Sequence, residues 1–344
     1  MHLLRHYAVF GGVLCSELEF PELEITHDVE RTSWTLHVER CAPPNLELTP
    51  LGERQLGRET YRLWRTPMGL RLEYSHAGVY DISADGSRMS WYERADALPE
   101  LVRNIVLGPA LALALELAGF LCLHGSAVVL ADQGLVFLGP KHHGKSTIAS
   151  ALTVAGARLV GDDLVAVAPG PPAMVRPGVP SVRLWGDTAN ALPMHGICES
   201  LIPGVKTTAT GFAGRALTRG QVPLAAIYVL EPANKTSEAS CRRTGLPPVS
   251  AAIAVAHQTK LADSLIGMRA AGAQLSAAVK VAATVPVFTL AVARDLARLP
   301  ELVEQIFAWH DVGRTSPNMT SASTSGTEQT RQASRPSYSG EVCS

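Results

Sequence analysis

The residue types with the clearest chemistry lie in the nonapeptide GPKHHGKST, residues 139–147. Its frame is a pair of glycines separated by four residues and followed by Lys145 and Ser146, which is typical of a phosphate-binding loop. Backbone N–H groups of such a loop, and of the helix that follows it, point at the anion. Lys145 would reach the β- and γ-phosphates, and the Ser146 hydroxyl would hold Mg²⁺. The pattern predicts a nucleotide-binding loop made of Gly139, Pro140, Lys141, His142, His143, Gly144, Lys145, Ser146 and Thr147.

The interior of this loop is unusual, because Lys141, His142 and His143 stand where small residues are common. Two adjacent loop histidines have difficulty presenting both rings to one ion, and no carboxylate or cysteine accompanies them locally, so a metal site is disfavoured. In a phosphate cradle, His142 must adopt a glycine-like backbone with its side chain turned away from the phosphates. Lys141 would add a positive charge at the rim, facing the γ-phosphate or the acceptor.

A second group with chemical potential is the acidic pair Asp162 and Asp163, which lies between the apolar runs RLV and LVAV. One carboxylate after a strand commonly holds the Mg²⁺ of a phosphate-loop site, and a second can take the proton of an attacking hydroxyl. Neighbours on a strand point to opposite faces, so both reach one site only if the chain turns, which Gly161 permits. An ordinary exposed Asp-Asp turn is the alternative interpretation.

The elements around these residues fit that chemistry. Short apolar strands are predicted at 125–130 and 135–138, and the turn between them makes a hairpin that leads into the loop. The stretch KSTIASALTVAG predicts a helix with Ile148, Leu152 and Ala155 on one face. Strand, loop and helix therefore occur in the order that a phosphate site requires.

The rest of the chain divides by pattern. Residues 1–97 alternate apolar and polar side chains and predict a β-rich N-terminal region, and residues 98–312 predict a catalytic domain of mixed strands and helices. The apolar run 105–123 contains a proline and a glutamate, so a buried helix followed by a strand is favoured over a membrane span. Residues 313–344 are rich in serine and threonine and are predicted to be disordered.

Composition narrows the function classes. The chain has 344 residues, is 47% hydrophobic and carries a net charge of −1, which argues against nucleic acid or an anionic membrane as partner. Its six cysteines form no C-x-x-C pair, so neither a zinc site nor a disulfide framework is expected. The N-terminus has no clean secretion signal. These features predict a cytoplasmic protein.

Taken together, His124-Gly125, the loop ending at Ser146 and the segment LVGDD ending at Asp163 resemble the catalytic domain of HPr kinase/phosphorylase and its relatives. The resemblance implies an α/β fold with a phosphoenolpyruvate carboxykinase-like P-loop kinase core and an N-terminal β-rich region. It also implies ATP and Mg²⁺ as cofactors. The implied roles place Lys145 on phosphate, Ser146 and Asp163 on the metal, Asp162 as the base, His124 beside it, and Arg183 as a phosphate clamp. For Arg183, a surface position on a strand is the alternative.

The implied reaction is transfer of the γ-phosphoryl group of ATP to a hydroxyl of a protein, peptide or small molecule. The signature segment of HPr kinase/phosphorylase proper is not found in residues 175–193, so HPr as substrate does not carry over. Smaller relatives resemble kinases that phosphorylate a modified peptide such as a lasso peptide, and the resemblance also favours a homo-oligomer. The alternatives are a nucleotide-binding accessory or regulatory protein without turnover and a carboxykinase-type enzyme.

Overall fold

The structure is a computed structural model that describes residues 4–184, 188, 192, 197–198, 207–209, 220–232, 241–260, 268–293 and 295–310. It is a mixed α/β protein with two large sheets, a small third sheet and a few helices. The tail predicted to be disordered, residues 313–344, lies outside the described residues. Residues 1–312 form one compact unit, and the domain boundary after residue 97 stays a prediction.

Nine strands of the N-terminal region form the first sheet, in the spatial order β3-β1-β2-β4-β9-β8-β7-β6-β5. The alternating sequence pattern explains why these segments form strands with one buried face: in one of them, Trp34, Leu36 and Val38 are buried, while their neighbours are less so. Two neighbouring strands of this sheet form an antiparallel hairpin around the Asp85-Gly86 turn. The strands are β1 (Arg5–Val9), β2 (Gly12–Ser16), β3 (Glu24–Ile25), β4 (Thr32–Glu39), β5 (Thr49–Leu56), β6 (Glu59–Thr66), β7 (Gly69–Tyr74), β8 (Gly78–Ser83) and β9 (Arg88–Tyr92).

Two helices follow, α1 (Pro99–Ile105) and α2 (Leu111–Leu117), and a π-helical turn at Val106–Ala110 joins them. The turn contains Pro109, which has no N–H to donate and therefore interrupts the regular α-helical ladder. Most of this apolar run is buried against the first sheet, as predicted for a core helix. Within the described part of the chain, no helix combines the length and apolar character needed to cross a membrane.

The remaining strands form the second and third sheets. They are β10 (Leu121–Leu123), β11 (Gly125–Leu130), β12 (Gln133–Leu138), β13 (Arg158–Asp162), β14 (Val165–Ala168), β15 (Met174–Val175), β16 (Val182–Leu184), β17 (Ile197–Cys198), β18 (Thr207–Ala209), β19 (Val222–Pro232), β20 (Cys241–Gly245) and β21 (Val287–Val292). Strands β16, β18 and β17 form the small sheet, and the others form the second large sheet. The helices that accompany them are α3 (Lys145–Val154), α4 (Pro248–Ala256), α5 (Met268–Ala282) and α6 (Leu299–Trp309).

The centre of the second sheet is β12, which pairs with β11 in an antiparallel hairpin and with β19 in parallel. Its side chains alternate between two cores: Leu135 and Phe137 face α3 and α6, whereas Val136 and Leu138 face α4 and α5. A strand covered on both faces needs a continuous apolar sequence, which is why LVFL predicts it. The sheet therefore holds the end of β12, where the loop begins, inside a three-layer core.

Helix α3 begins at Lys145, directly after the loop, as predicted. Ile148 and Leu152 are buried, which confirms that face of the helix. Ala155 follows the last helical residue and is exposed, so its predicted place on the buried face is wrong. The helix ends at Val154, with Ala155 as its C-cap, and Gly156 follows at a φ of 119°.

Candidate functional site

The glycine-framed loop leaves β12 after Leu138 and reaches α3 at Lys145. It needs three left-handed residues: Gly139 has a φ of 143°, His142 of 67° and Gly144 of 87°. At Gly139 a side chain would also meet the Leu230 carbonyl oxygen at 3.1 Å from Cβ. Gly144 caps α3 and has no side chain to bond the amides of the first turn. Those N–H groups are therefore suited to an anion.

The loop side chains are arranged in two ways. The glycine-like φ predicted for His142 is confirmed. The side chains of His142 and Lys141 are both exposed. The His143 ring bonds back to the loop, with Nδ1 3.0 Å from the Lys141 carbonyl oxygen. No group of three or more metal-ligating residues was found in the described ranges.

Lys145 is held inside the loop. Its Nζ donates to the Gly139 carbonyl oxygen at 2.7 Å and to that of Pro140 at 3.1 Å, and the residue is only 8% exposed. These bonds keep the positive charge among the loop's own carbonyls. A negatively charged group entering the loop would meet that charge beside the first turn of α3, which also includes Thr147.

Asp162 ends β13 and is bonded on both carboxylate oxygens. Its Oδ1 accepts from Ser126 Oγ at 2.5 Å and from Ser146 Oγ at 2.9 Å, and its Oδ2 accepts from the Arg183 amide at 2.9 Å. The loop serine and the first aspartate therefore meet directly. The sequence-based assignment paired Ser146 with Asp163 instead, and the contacts place that hydroxyl on Asp162.

Asp163 turns away from the strand because its own backbone is left-handed, at a φ of 71°. Gly161, which was expected to permit the turn, lies in β13 beside a bulge in the pairing of that strand with β11, and the turn itself is made at Asp163. His124 Nδ1 lies 3.2 Å from Asp163 Oδ1, so the histidine sits beside the second aspartate and not beside Asp162 as the assignment had it. The left-handed turn explains how neighbouring carboxylates contact different partners around one site.

Three basic side chains surround the Asp163 carboxylate. Lys260 Nζ is 2.6 Å from Oδ2, His124 contacts Oδ1, and Arg183 NH1 is 3.5 Å from Oδ2. Burial alone would raise the pKa of this carboxyl. The opposing effects of Lys260, His124 and Arg183 outweigh burial and hold the Asp163 pKa well below its usual 3.8. The carboxylate is therefore ionised throughout the neutral range.

Lys260 is the site residue that sequence reasoning missed. Its Nζ also donates to the Asp163 carbonyl oxygen at 3.0 Å. It reaches the site because the segment 258–260 runs beside 122–124: the His124 amide donates to the Gln258 carbonyl, and the Lys260 amide donates to the Cys122 carbonyl. No motif surrounds this lysine, so only the pairing of two distant segments reveals it. The buried Ser126 was missed for the same reason.

Arg183 lies in the small sheet and links both aspartates. Its amide bonds Asp162, its NH1 faces Asp163, and its NH2 donates to Asn104 Oδ1 at 2.7 Å. Arg183 does lie on a strand, as the alternative had it, and its side chain also contacts Asn104 and Asp163. The guanidinium is held between helix α1 and the acidic pair, about one third exposed at 31% of its side chain.

Comparisons with known proteins add little to this geometry. No protein-family model matches the chain, and no curated protein matches it. Among solved structures, the HPr(Ser) kinase/phosphatase from Coxiella burnetii is similar over 55% of this chain and 95% of its own, with a TM-score of 0.29 and 14% sequence identity. A similarity at that level carries no argument about fold or activity. The contacts in the chain itself must support any function.

These contacts bring together most of the predicted site: the loop, Ser146, His124, both aspartates and Arg183. The acidic pair is divided between two environments. Asp162 is bonded by neutral donors, two hydroxyls and an amide, whereas Asp163 is bonded by basic side chains. Two carboxylates in such different surroundings are able to perform different tasks.

Proposed function

We propose that this protein is an ATP- and Mg²⁺-dependent kinase that transfers the γ-phosphoryl group to a hydroxyl of a protein, peptide or small molecule. The observation that supports it is the contact of Ser146 with Asp162 at 2.9 Å, directly beside the ion-paired Asp163. A plain strand–helix turn has no need of a loop hydroxyl, two carboxylates and three basic side chains. Phosphoryl transfer uses this set, because positioning and charge neutralisation provide most of the catalysis.

The donors fit Mg²⁺ at one point of the site. Mg²⁺ takes oxygen ligands at about 2.1 Å in octahedral geometry, so neighbouring ligand oxygens lie roughly 3 Å apart. Ser146 Oγ and Asp162 Oδ1 are separated by 2.9 Å. When bound, the ion would neutralise negative charge on the phosphate oxygens. We therefore assign Ser146 and Asp162 to the metal, which exchanges the roles that the resemblance implied for the two aspartates.

Asp163 then has the task of orienting the acceptor hydroxyl and taking its proton. In this step the acceptor oxygen forms a bond to the γ-phosphorus, the bond from that phosphorus to the β–γ bridging oxygen breaks, and ADP leaves. The acceptor proton moves to Asp163. A carboxylate with a lowered pKa is a weak base, which suits a reaction whose loose transition state needs little proton removal. His124 and Lys260 hold the carboxylate in place.

Basic residues stabilise the phosphates in this proposal. The loop amides and the first turn of α3 surround the β- and γ-phosphates, and Lys145 leaves the loop carbonyls to bond them. Arg183 is the charge-neutralising clamp because its guanidinium already faces Asp163. Lys141, exposed on the loop, faces the acceptor side.

Separate substitutions of the two aspartates test this division of roles. Asp162→Asn is expected to raise the Mg²⁺ concentration needed for half-maximal turnover by about tenfold or more, because it removes a metal ligand. Asp163→Asn is expected to lower kcat by about 10²- to 10⁴-fold without changing the Mg²⁺ requirement. Turnover is measured as ADP formation and as transfer of radioactive γ-phosphate to components of an extract from the source organism.

A matched control is Asp132→Asn, which makes the same chemical change at a 91% exposed carboxylate at the far end of the β11–β12 hairpin. It should match the unsubstituted protein in both readouts. If Asp163→Asn keeps wild-type kcat, its role as base is wrong. If the protein binds ATP calorimetrically but neither forms ADP nor labels any acceptor, it is a nucleotide-binding accessory protein, and the kinase proposal fails.

A further inference from the structure

A cavity of about 690 Å³ lies apart from the aspartate site, between the first sheet, helix α2 and helix α5. Its lining residues include neither the phosphate loop nor either aspartate. Its walls are mostly apolar, with Leu63, Leu113, Phe120 and Ala277 among them. Cavities of a few hundred cubic ångströms with apolar walls and few polar groups are the usual form of small-molecule sites.

One carboxyl lines this apolar space. Glu116 comes directly after the buried residues of α2. Its Oε1 is buried and has no hydrogen-bond partner among the described residues. The other oxygen, Oε2, accepts a long bond of 3.4 Å from Gln274 Nε2 on α5. Gln274 is itself oriented by Thr259, whose hydroxyl donates to Gln274 Oε1 at 3.3 Å. One oxygen is thus anchored, and the other has an unused capacity to accept a hydrogen bond.

We propose that this cavity binds a small amphipathic amine, with its apolar body against the cavity walls and its N–H groups donating to the Glu116 carboxylate, whose side chain is partly exposed there. An ammonium group supplies the donors and the opposite charge that this carboxylate lacks beyond its long bond from Gln274. The other charged residues of the lining, Arg65 and Lys280, are exposed, so water screens their charges. Cys122, also in the lining, is buried and has a raised pKa, so it stays neutral. This site is independent of the proposed kinase reaction.

Calorimetry with three probes of equal length tests the proposal on the full chain at pH 8: n-hexylamine, n-hexanol and hexanoate. Hexylamine is expected to bind at least tenfold more tightly than hexanol, and hexanoate should bind most weakly. Glu116→Gln should weaken hexylamine binding about tenfold and leave hexanol unchanged, because the amide keeps the shape and loses the charge. Ala277→Leu, which fills the cavity, should weaken the amine and the alcohol alike.

The control for the substitution is Glu47→Gln, the same change at an exposed glutamate outside the cavity. It should bind all three probes as the unsubstituted protein does. Equal binding of hexylamine and hexanol, no binding of either, or hexylamine affinity unchanged in Glu116→Gln would each overturn the proposal. Calorimetric binding of ATP is measured on the same samples. A variant that has lost the ATP binding of the unsubstituted protein is misfolded, whereas absence of ATP binding in the unsubstituted protein counts against the kinase proposal and not against the amine site.

Discussion

Replacing Lys260 by methionine tests whether the basic cluster around Asp163 is what the contacts indicate. The ammonium group bonds both the carboxylate, at 2.6 Å, and the carbonyl oxygen of Asp163, at 3.0 Å. The lysine side chain is 12% exposed and the aspartate side chain 28% exposed, so water replaces the lost partner poorly. Methionine keeps much of the volume and removes the charge, which leaves a largely buried carboxylate with fewer partners.

The magnitude follows from the remaining contacts. Removing one partner of a buried ion pair costs about 3–5 kcal/mol, and His124 and Arg183 still contact the carboxylate, so the lower value of about 3 kcal/mol applies. The unfolding entropy is roughly 2.1 cal/mol/K per residue, or about 0.65 kcal/mol/K for the unit formed by residues 1–312. Lys260→Met is therefore expected to lower Tm by about 5 °C at pH 7.

The pH dependence identifies the carboxylate that is responsible. Because the folded protein holds the Asp163 pKa below 3.8, the stabilisation is complete above that pH and is lost as pH falls through the folded pKa. The Tm difference between the two proteins should thus be full at pH 7 and shrink below about pH 4. Calorimetric unfolding scans measure both. Arg88→Met, which removes a charge from an exposed position on β9, should lower Tm by less than about 1 °C.

Two outcomes would refute this reasoning. A Tm for Lys260→Met equal to that of Arg88→Met would mean that the lysine contributes no net stabilisation in its contacts with Asp163. A Tm difference that persists undiminished at pH 3 would mean that packing, and not the charge on Asp163, carries the effect.

Two further predictions concern stability at single positions. Gly144→Ala should lower the free energy of unfolding by about 1–2 kcal/mol because of the φ of 87°, although nothing would crowd the new Cβ. Gly272→Ala, at an exposed and uncrowded position in α5, should raise that free energy by about 1 kcal/mol. Urea unfolding of both variants checks the opposite signs. Burial raises the pKa of Glu116 to about 7, so the carboxyl ionises at lower pH in the unfolded protein than in the folded one. The free energy of unfolding therefore falls as pH rises from about 4.5 to 7. Glu116→Gln should therefore stabilise the protein by about 1–3 kcal/mol at pH 8 and much less at pH 5, and equal gains at both pH values in thermal scans would contradict it.

Local patterns in the sequence were enough to predict the loop, helix α3 and the β11–β12 hairpin. Each depends on residues within a short window: an apolar run covered on both faces, a glycine frame, and a helical period. The π-helical turn around Pro109 was not, because a proline in a helical pattern indicates a break but not its geometry.

The arrangement of the site was harder to predict, because it depends on contacts between distant segments. Lys260 and Ser126 belong to no motif. Ser126 reaches Asp162 through the pairing of β11 with β13, and Lys260 reaches Asp163 through backbone hydrogen bonds of its segment to residues 122–124. The sequence does not decide which of the two aspartates contacts Ser146, for a different reason. A dipeptide of identical residues does not reveal which member ends the strand and which adopts a left-handed backbone, and that difference decides which carboxylate meets Ser146.

The left-handed conformation of Asp163 has a cost that its contacts must offset. A non-glycine residue at a φ of 71° is disfavoured by about 1–2 kcal/mol, and it persists only where surrounding bonds determine it. Lys260 supplies two such bonds, to the side chain and to the carbonyl oxygen of the same residue. With an extended backbone, Asp163 would continue the strand and point to the face opposite Asp162. Lys260 therefore helps to hold both carboxylates at one site, and it reaches Asp163 because its own segment runs beside strand β10.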